Sequence, residues 1–255
     1  MVKKIISLAA VFIVALTIFP KTAYAGAPVP WIDMGITIGG ANDPAVIVPA
    51  LHILFLVSII ALAPSILMLL TGFTRIVIAM HFVRAAMATQ QMPPNQVLVG
   101  VALILTLFLM APALTEINDN ALQPLGRSEI SIEEAIERGM EPLRKFMRDQ
   151  VEDRDVNLFF QLSRMEAVAT IEEIPDSILI PAFVLGELTK GFMIGFLMYL
   201  PFIVIDMVVA SVLMAMGMMM LPPAMISMPF KLMIFLLAGG WSFLLEYVLR
   251  TFRVT

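Results

Sequence analysis

Apolar residues gather into five runs, separated by polar stretches that hold many of the prolines and glycines. The first run, residues 5–19, follows the basic pair Lys3-Lys4 and precedes Ala23-Tyr24-Ala25. A basic head, a short apolar run and a small-x-small site in that order describe an export signal. Cleavage is expected between Ala25 and Gly26. At about fifteen residues the run is short for a bilayer that asks for about twenty, which argues against an uncleaved first span. Residues 26–47 keep no period and are expected to form an exported arm, in which Trp31 is an interfacial anchor or a loop aromatic.

Four longer runs follow, at 48–70, 96–114, 179–220 and 231–249. They divide the mature chain into a first hydrophobic helical hairpin (48–114), an exported helical segment (115–178) and a second hydrophobic hairpin (179–255). As one straight helix the run 179–220 would extend about 60 Å, twice the hydrocarbon thickness. Either it projects beyond the membrane or Pro201 breaks it. A break at membrane depth needs protein or a water-filled cavity to satisfy the freed backbone, and so would hint at a pathway. In the exported segment, Ser131 and Glu134 form a capping box. Ile132, Ile136, Met140, Leu143 and Met147 then hold one helical face, with Gly139 and Pro142 expected to kink or split it. A second stripe is Phe159, Leu162 and Met165. Both are expected to pack on the rest of the chain or on a sister subunit, with a flat seat on the membrane surface as the lesser option.

Composition agrees with a chain in lipid: 60% of the 255 residues are hydrophobic, 14% are charged and the mean hydropathy is +0.95, too little charge to coat a soluble domain. With cleavage after the signal, the stretch between the first two long runs is expected to be a cytoplasmic loop. It carries Arg75 and Arg84 and no acid, as the positive-inside tendency asks. Segment 115–178 holds 15 of the 20 acids and 7 of the 16 Lys/Arg, a balance of −8, and is expected outside. A net charge of −4 offers no basic face for nucleic acid. The lack of cysteine excludes disulfides and thiol chemistry. His52 and His81 stand in no ligand spacing, and no nucleophile elbow, P-loop or dinucleotide fingerprint occurs. The reading is not an enzyme, with no metal and no cofactor.

Charges inside apolar runs are costly and face a bundle interior or a cavity. Glu187 and Lys190 lie three apart on one helix face, while Asp206 has no partner in its own turn. These read as a proton or ion path, or as bonds locking one helix or subunit to the next. Lys231 is expected to pair with a carboxylate of another subunit, its rivals being Asp206 of the same chain and snorkelling to headgroups. Gly191 and Gly195 form a G-x-x-x-G, a face for close helix packing assigned here to ring assembly. Ser211 and Ala215 repeat the spacing, and Gly239-Gly240 is another thin place. Eight methionines fall between 214 and 233, and Met218-Met219-Met220 stand consecutively between Gly217 and Leu221-Pro222-Pro223. Three consecutive residues spread around a helix, so no single packing stripe explains them. Adaptable thioethers suit core filling or a yielding seal.

From 180 to 231 the sequence resembles the FliP family of flagellar export-gate proteins. The likeness lies in residues 180–188 (IPAFVLGEL), 205–214 (IDMVVASVLM), 217–223 (GMMMLPP) and 226–233 (ISMPFKLM), with 71–75 (TGFTR) and 91–96 (QMPPNQ) in the first hairpin. The resemblance implies an all-α membrane protein of helical hairpins, with about four hydrophobic helices and a helical periplasmic segment, assembling as a pentameric ring. It implies FliQ and FliR as partners in the gate core, FlhB, FlhA and the basal-body ring around it, FliO in assembly, and unfolded export substrates as cargo. It also implies that Met218, Met219 and Met220 form a gasket in the closed pore, and that the complex sits in the bacterial inner membrane with a large periplasmic portion. Virulence-secretion relatives usually lack a cleavable signal, so residues 1–25 favour the flagellar branch. A proton-coupled or small-solute transporter relaying through Glu187 and Asp206 is the alternative function. A scaffold that does not line the pore is the third.

Overall fold

The computed structural model describes residues 64–89, 92–165, 170–218 and 220–253, with Leu54, Val57, Ser58, Ala61, Leu62 and Val168. The signal and its Ala25-Gly26 site, the arm with Trp31, His52 and Met219 lie outside the described residues. The chain divides into units Met1–Pro64 and Ser65–Thr255. Within the first, Ser58 donates to the Leu54 carbonyl at 2.8 Å, closing a helical turn. All that follows concerns the second.

Every regular element among its described residues is helical. Helix α1 is Phe73–Ala86 and α2 is Asn95–Leu109. Helix α3, Ala111–Ile117, runs through a π-helical turn at Asn118–Leu122 into α4, Gln123–Gly126. Helix α5 is Ile132–Gln150 and α6 is Asp153–Ser163. Helix α7 is Asp176–Ala215, α8 is Pro223–Leu237 and α9 is Gly240–Arg250.

Three expectations change here. Helix α7 is unbroken over 40 residues with Pro181 and Pro201 inside it, so the pathway hint from a broken helix loses its ground. A proline removes one donor and crowds one carbonyl, and the turns on either side hold the axis, with Phe202 anchored in the core beside it. Likewise α5 starts at Ser131, whose hydroxyl accepts from the Glu134 N–H at 3.2 Å, and passes Gly139 and Pro142 without splitting. The stretch carrying Arg75 and Arg84 is helix α1 rather than a loop. Its apolar side chains Ile76, Ala79, Met80 and Val83 recur at helical spacing and are buried, and Arg75 is buried with them, so it is no cytoplasmic loop charge.

Two of the long runs are bent. Helix α2 meets α3 at 62°, and α8 meets α9 at 63°. The second bend sits at Gly239 and Gly240, with φ of +104° and +59°, a left-handed pair that side chains with a Cβ resist. Among the described residues one helix, α7, is long and apolar enough to cross a membrane, or up to three if each bent pair is one span.

The buried apolar residues form two clusters along α7. One joins Ile178, Leu179, Ala182 and Phe183 of its first turns to Leu143 and Met147 of α5 and Val156 and Phe160 of α6. The other joins Ile194 and Phe202 to α1, α2, Phe235 of α8, and Leu244 and Val248 of α9. Glu187 stands between the two on the same helix. Beyond Phe202 the helix is largely bare, with Val204, Met207, Val208 and Val212 exposed.

Candidate functional site

Arg75 is fully buried, and all five of its N–H donors find acceptors. Nε donates to Glu187 Oε2 at 3.0 Å and Nη2 to Glu187 Oε1, a fork on a carboxylate as buried as itself. Nη1 donates to the Thr251 carbonyl at 2.9 Å and to its hydroxyl at 3.1 Å. Nη2 also reaches Gln150 Oε1 at 3.4 Å, and the Phe252 ring lies 3.9 Å from the guanidinium carbon. One cation thus ties α1, α5, α7 and the segment after α9 together, at the level where the two apolar clusters meet. Lys190 adds a tie to α5 beside this node: its ammonium donates to the Gln150 carbonyl and stands 3.5 Å from Glu152. The hydrogen bonds of Glu187 thus come from Arg75 rather than from Lys190, because a buried carboxylate takes the donor with two parallel N–H groups.

A second charge pair joins α7 to α8. Asp206 Oδ2 accepts from the Lys231 ammonium at 2.5 Å, and its Oδ1 accepts from the Ser227 hydroxyl at 2.5 Å. Lys231 is 2% exposed and Asp206 37%. The carboxylate expected from another subunit is supplied by the chain itself, because the turn at 216–222 folds α8 back along α7 and brings the two residues together. Lys231 also lies in the middle of α8 rather than at a helix start.

The G-x-x-x-G face is occupied too. A Cβ built on Gly195 would lie 2.4 Å from the Phe82 ring, and one on Gly191 would lie 3.3 Å from the Arg75 Cα. Both glycines receive α1 of the same chain, not a neighbour's helix as the assignment to ring assembly required. Outside the apolar helices, Arg144 of α5 forks onto Asp176 at 2.8 Å through both Nε and Nη2. Those hydrogen bonds raise its guanidinium above its ordinary range.

The methionine turn is built differently. Helix α7 ends in a Schellman motif: the Gly217 N–H bonds the Met214 carbonyl and the Met218 N–H the Leu213 carbonyl, both at 3.0 Å. Gly217 carries the left-handed φ of +73° that the motif needs, and α8 restarts at Pro223. Met216 is 67%, Met218 39% and Met220 98% exposed, so none of these three fills the chain's own core. Among the described residues no cluster of His, Asp or Glu is arranged for a metal.

The model of the FliP family matches residues 56–248, a stretch that holds both ion pairs and the whole turn. The chain belongs to the FliP family. Relatives named flagellar biosynthetic protein FliP include that of Bacillus subtilis, 47% identical over 217 residues covering 85% of this chain and 98% of the relative. That of Treponema denticola is 43% identical over 226 residues, covering 88% and 83%. That of Treponema pallidum is 40% identical over 265 aligned positions, covering 95% and 96%. Against this family background, Arg75, Gln150, Ser227 and Thr251 are the polar residues of the nodes that sequence reasoning missed. Ser227 lies four residues before Lys231, a spacing that puts both on one face of α8. Arg75 carried one signal, a cation amid apolar residues at helical spacing.

Proposed function

We propose that this chain is the channel-forming subunit of the flagellar type III protein export gate, passing unfolded flagellar proteins across the inner membrane. It acts in a pentameric ring of its own copies with FliQ and FliR, surrounded by FlhB, FlhA and the basal-body ring, with FliO aiding assembly. Membership of the FliP family supports the flagellar setting. The observation that carries the channel role is the methionine turn. Met216, Met218 and Met220 stand uncovered at the end of a helix that α8 braces through Asp206, Ser227 and Lys231. Around a ring such turns form one narrow apolar level of unbranched thioethers, which excludes water when closed and yields to cargo of varied shape. Helix α7 beyond Phe202 leaves Val204, Met207, Val208 and Val212 exposed on the single chain, as a surface covered by neighbours or lipid would be. Glu187 is forked by Arg75, and Asp206 is engaged by Lys231 and Ser227, which suits interhelical locks better than the proton relay of a small-solute transporter.

The reading is tested with purified gate complex in planar bilayers. Replacing Met218, Met219 and Met220 together by Ala should leave complex yield near that of the parent and open a steady ion conductance. Leu at the same positions should keep the seal. A triple-Ala complex that assembles and does not conduct would rule the gasket out.

A further inference from the structure

Residues 251–253 follow the last helix, yet they are among the most firmly tied in the chain. The Thr251 carbonyl and hydroxyl take both N–H groups of Arg75 Nη1. Gln150 Nε2 donates to the Arg253 carbonyl at 2.6 Å, and the Arg253 N–H returns to Gln150 Oε1 at 3.3 Å. Between them the buried Phe252 ring covers the guanidinium, and Phe146 of α5 stacks on it at 6.5 Å. The seat for that ring is cut into Gly72, where a Cβ would lie 2.6 Å from it.

We propose that residues 251–253 are a closing strap. Until it is seated, the Arg75–Glu187 pair is open to water and α5 is not closed against α1. Without the strap, Nη1 of a fully buried guanidinium loses both its acceptors. An unpaired buried donor on a charged group draws water in or forces its surroundings apart. Gln150 at the same time loses both of its main-chain partners on the strap. Arg75, Gln150 and Glu187 all precede the strap in the chain, so a growing polypeptide holds the pair in place before its cover arrives. Docking of residues 251–253 thus adds the last tie between α5 and α1 to an α5–α7 packing that the apolar cluster and the Arg144–Asp176 fork already hold. This inference is independent of the export reading, since it uses only contacts within one chain.

Hydrogen exchange read by mass spectrometry on the detergent-solubilised full chain tests it. Phe252→Ala should accelerate exchange about tenfold or more at 146–151 and 73–78 as well as at 251–253. In the charge-free background Arg75→Met/Glu187→Met the same substitution should have little effect on 146–151 and 73–78, because nothing charged remains to be covered. Acceleration confined to 251–253, or equal acceleration in both backgrounds, would overturn the strap and leave Phe252 as ordinary core. If the Phe252→Ala chain does not accumulate, Phe252→Leu, which keeps apolar bulk without a ring face, is read by the same two comparisons.

Discussion

Asp206 and Lys231 share one ion pair but not one environment. Lys231 is buried, whereas Asp206 keeps over a third of its side chain in contact with solvent. Removing the acid strands a desolvated ammonium, at a cost of about 3–5 kcal/mol for breaking a buried pair. Removing the lysine leaves a carboxylate that Ser227 and solvent still satisfy, a loss of about 1 kcal/mol, as for pairs near the surface. Asp206→Asn should therefore lower the denaturant midpoint in detergent far more than Lys231→Gln, and adding Lys231→Gln to Asp206→Asn should restore much of the loss. Equal losses from the two single variants would contradict the asymmetry. The Arg75 pair is buried on both sides. Either Arg75→Met or Glu187→Met alone should cost about 3–5 kcal/mol, while the double variant should lie much closer to the parent. The acids and Lys231 were legible as odd charges in apolar runs. Their partners were harder to see, because Arg75 and Glu187 are 112 positions apart and only the packing of α1 on α7 brings them together.

Close packing of that helix pair rests on Gly191 and Gly195, whereas Gly100 of α2 faces open space. Gly195 lies against the Phe82 ring, and nothing lies within 4 Å of a Cβ built on Gly100. Gly195→Ala should therefore destabilise the extracted protein by about 1–3 kcal/mol through overpacking. Gly100→Ala should be neutral or stabilise by about 0.5–1 kcal/mol, through helix propensity. A detergent melting curve on each variant separates them, and a neutral Gly195→Ala would show that α1 sits farther from α7. The G-x-x-x-G was visible in the sequence, but its partner was not, because a small-residue face is alike whether it meets its own chain or another. Capping at Ser131 was legible because it depends on a few local residues. Continuity of α7 past Pro201 was not, since it depends on turns and core contacts far from the proline.

For the molecule as a whole, the all-helical class and the long apolar helix α7 were readable from hydropathy. What hydropathy could not convey is that one helix belongs to two cores, with a charge node at their junction. The order of basic head, apolar run and small-x-small site also predicts that mature protein begins at Gly26. N-terminal sequencing of membrane-extracted protein checks this, and an intact Met1 would refute it. The central claim is that cargo passes the methionine turn. Its most direct measurement places a photo-crosslinking amino acid at Met220 in an assembled gate, with an export substrate stalled in passage by a folded C-terminal plug. On illumination the stalled substrate should crosslink to position 220, and the adduct should vanish when no substrate is engaged. A substrate that stalls and crosslinks elsewhere in the gate, but never to position 220, would contradict the account.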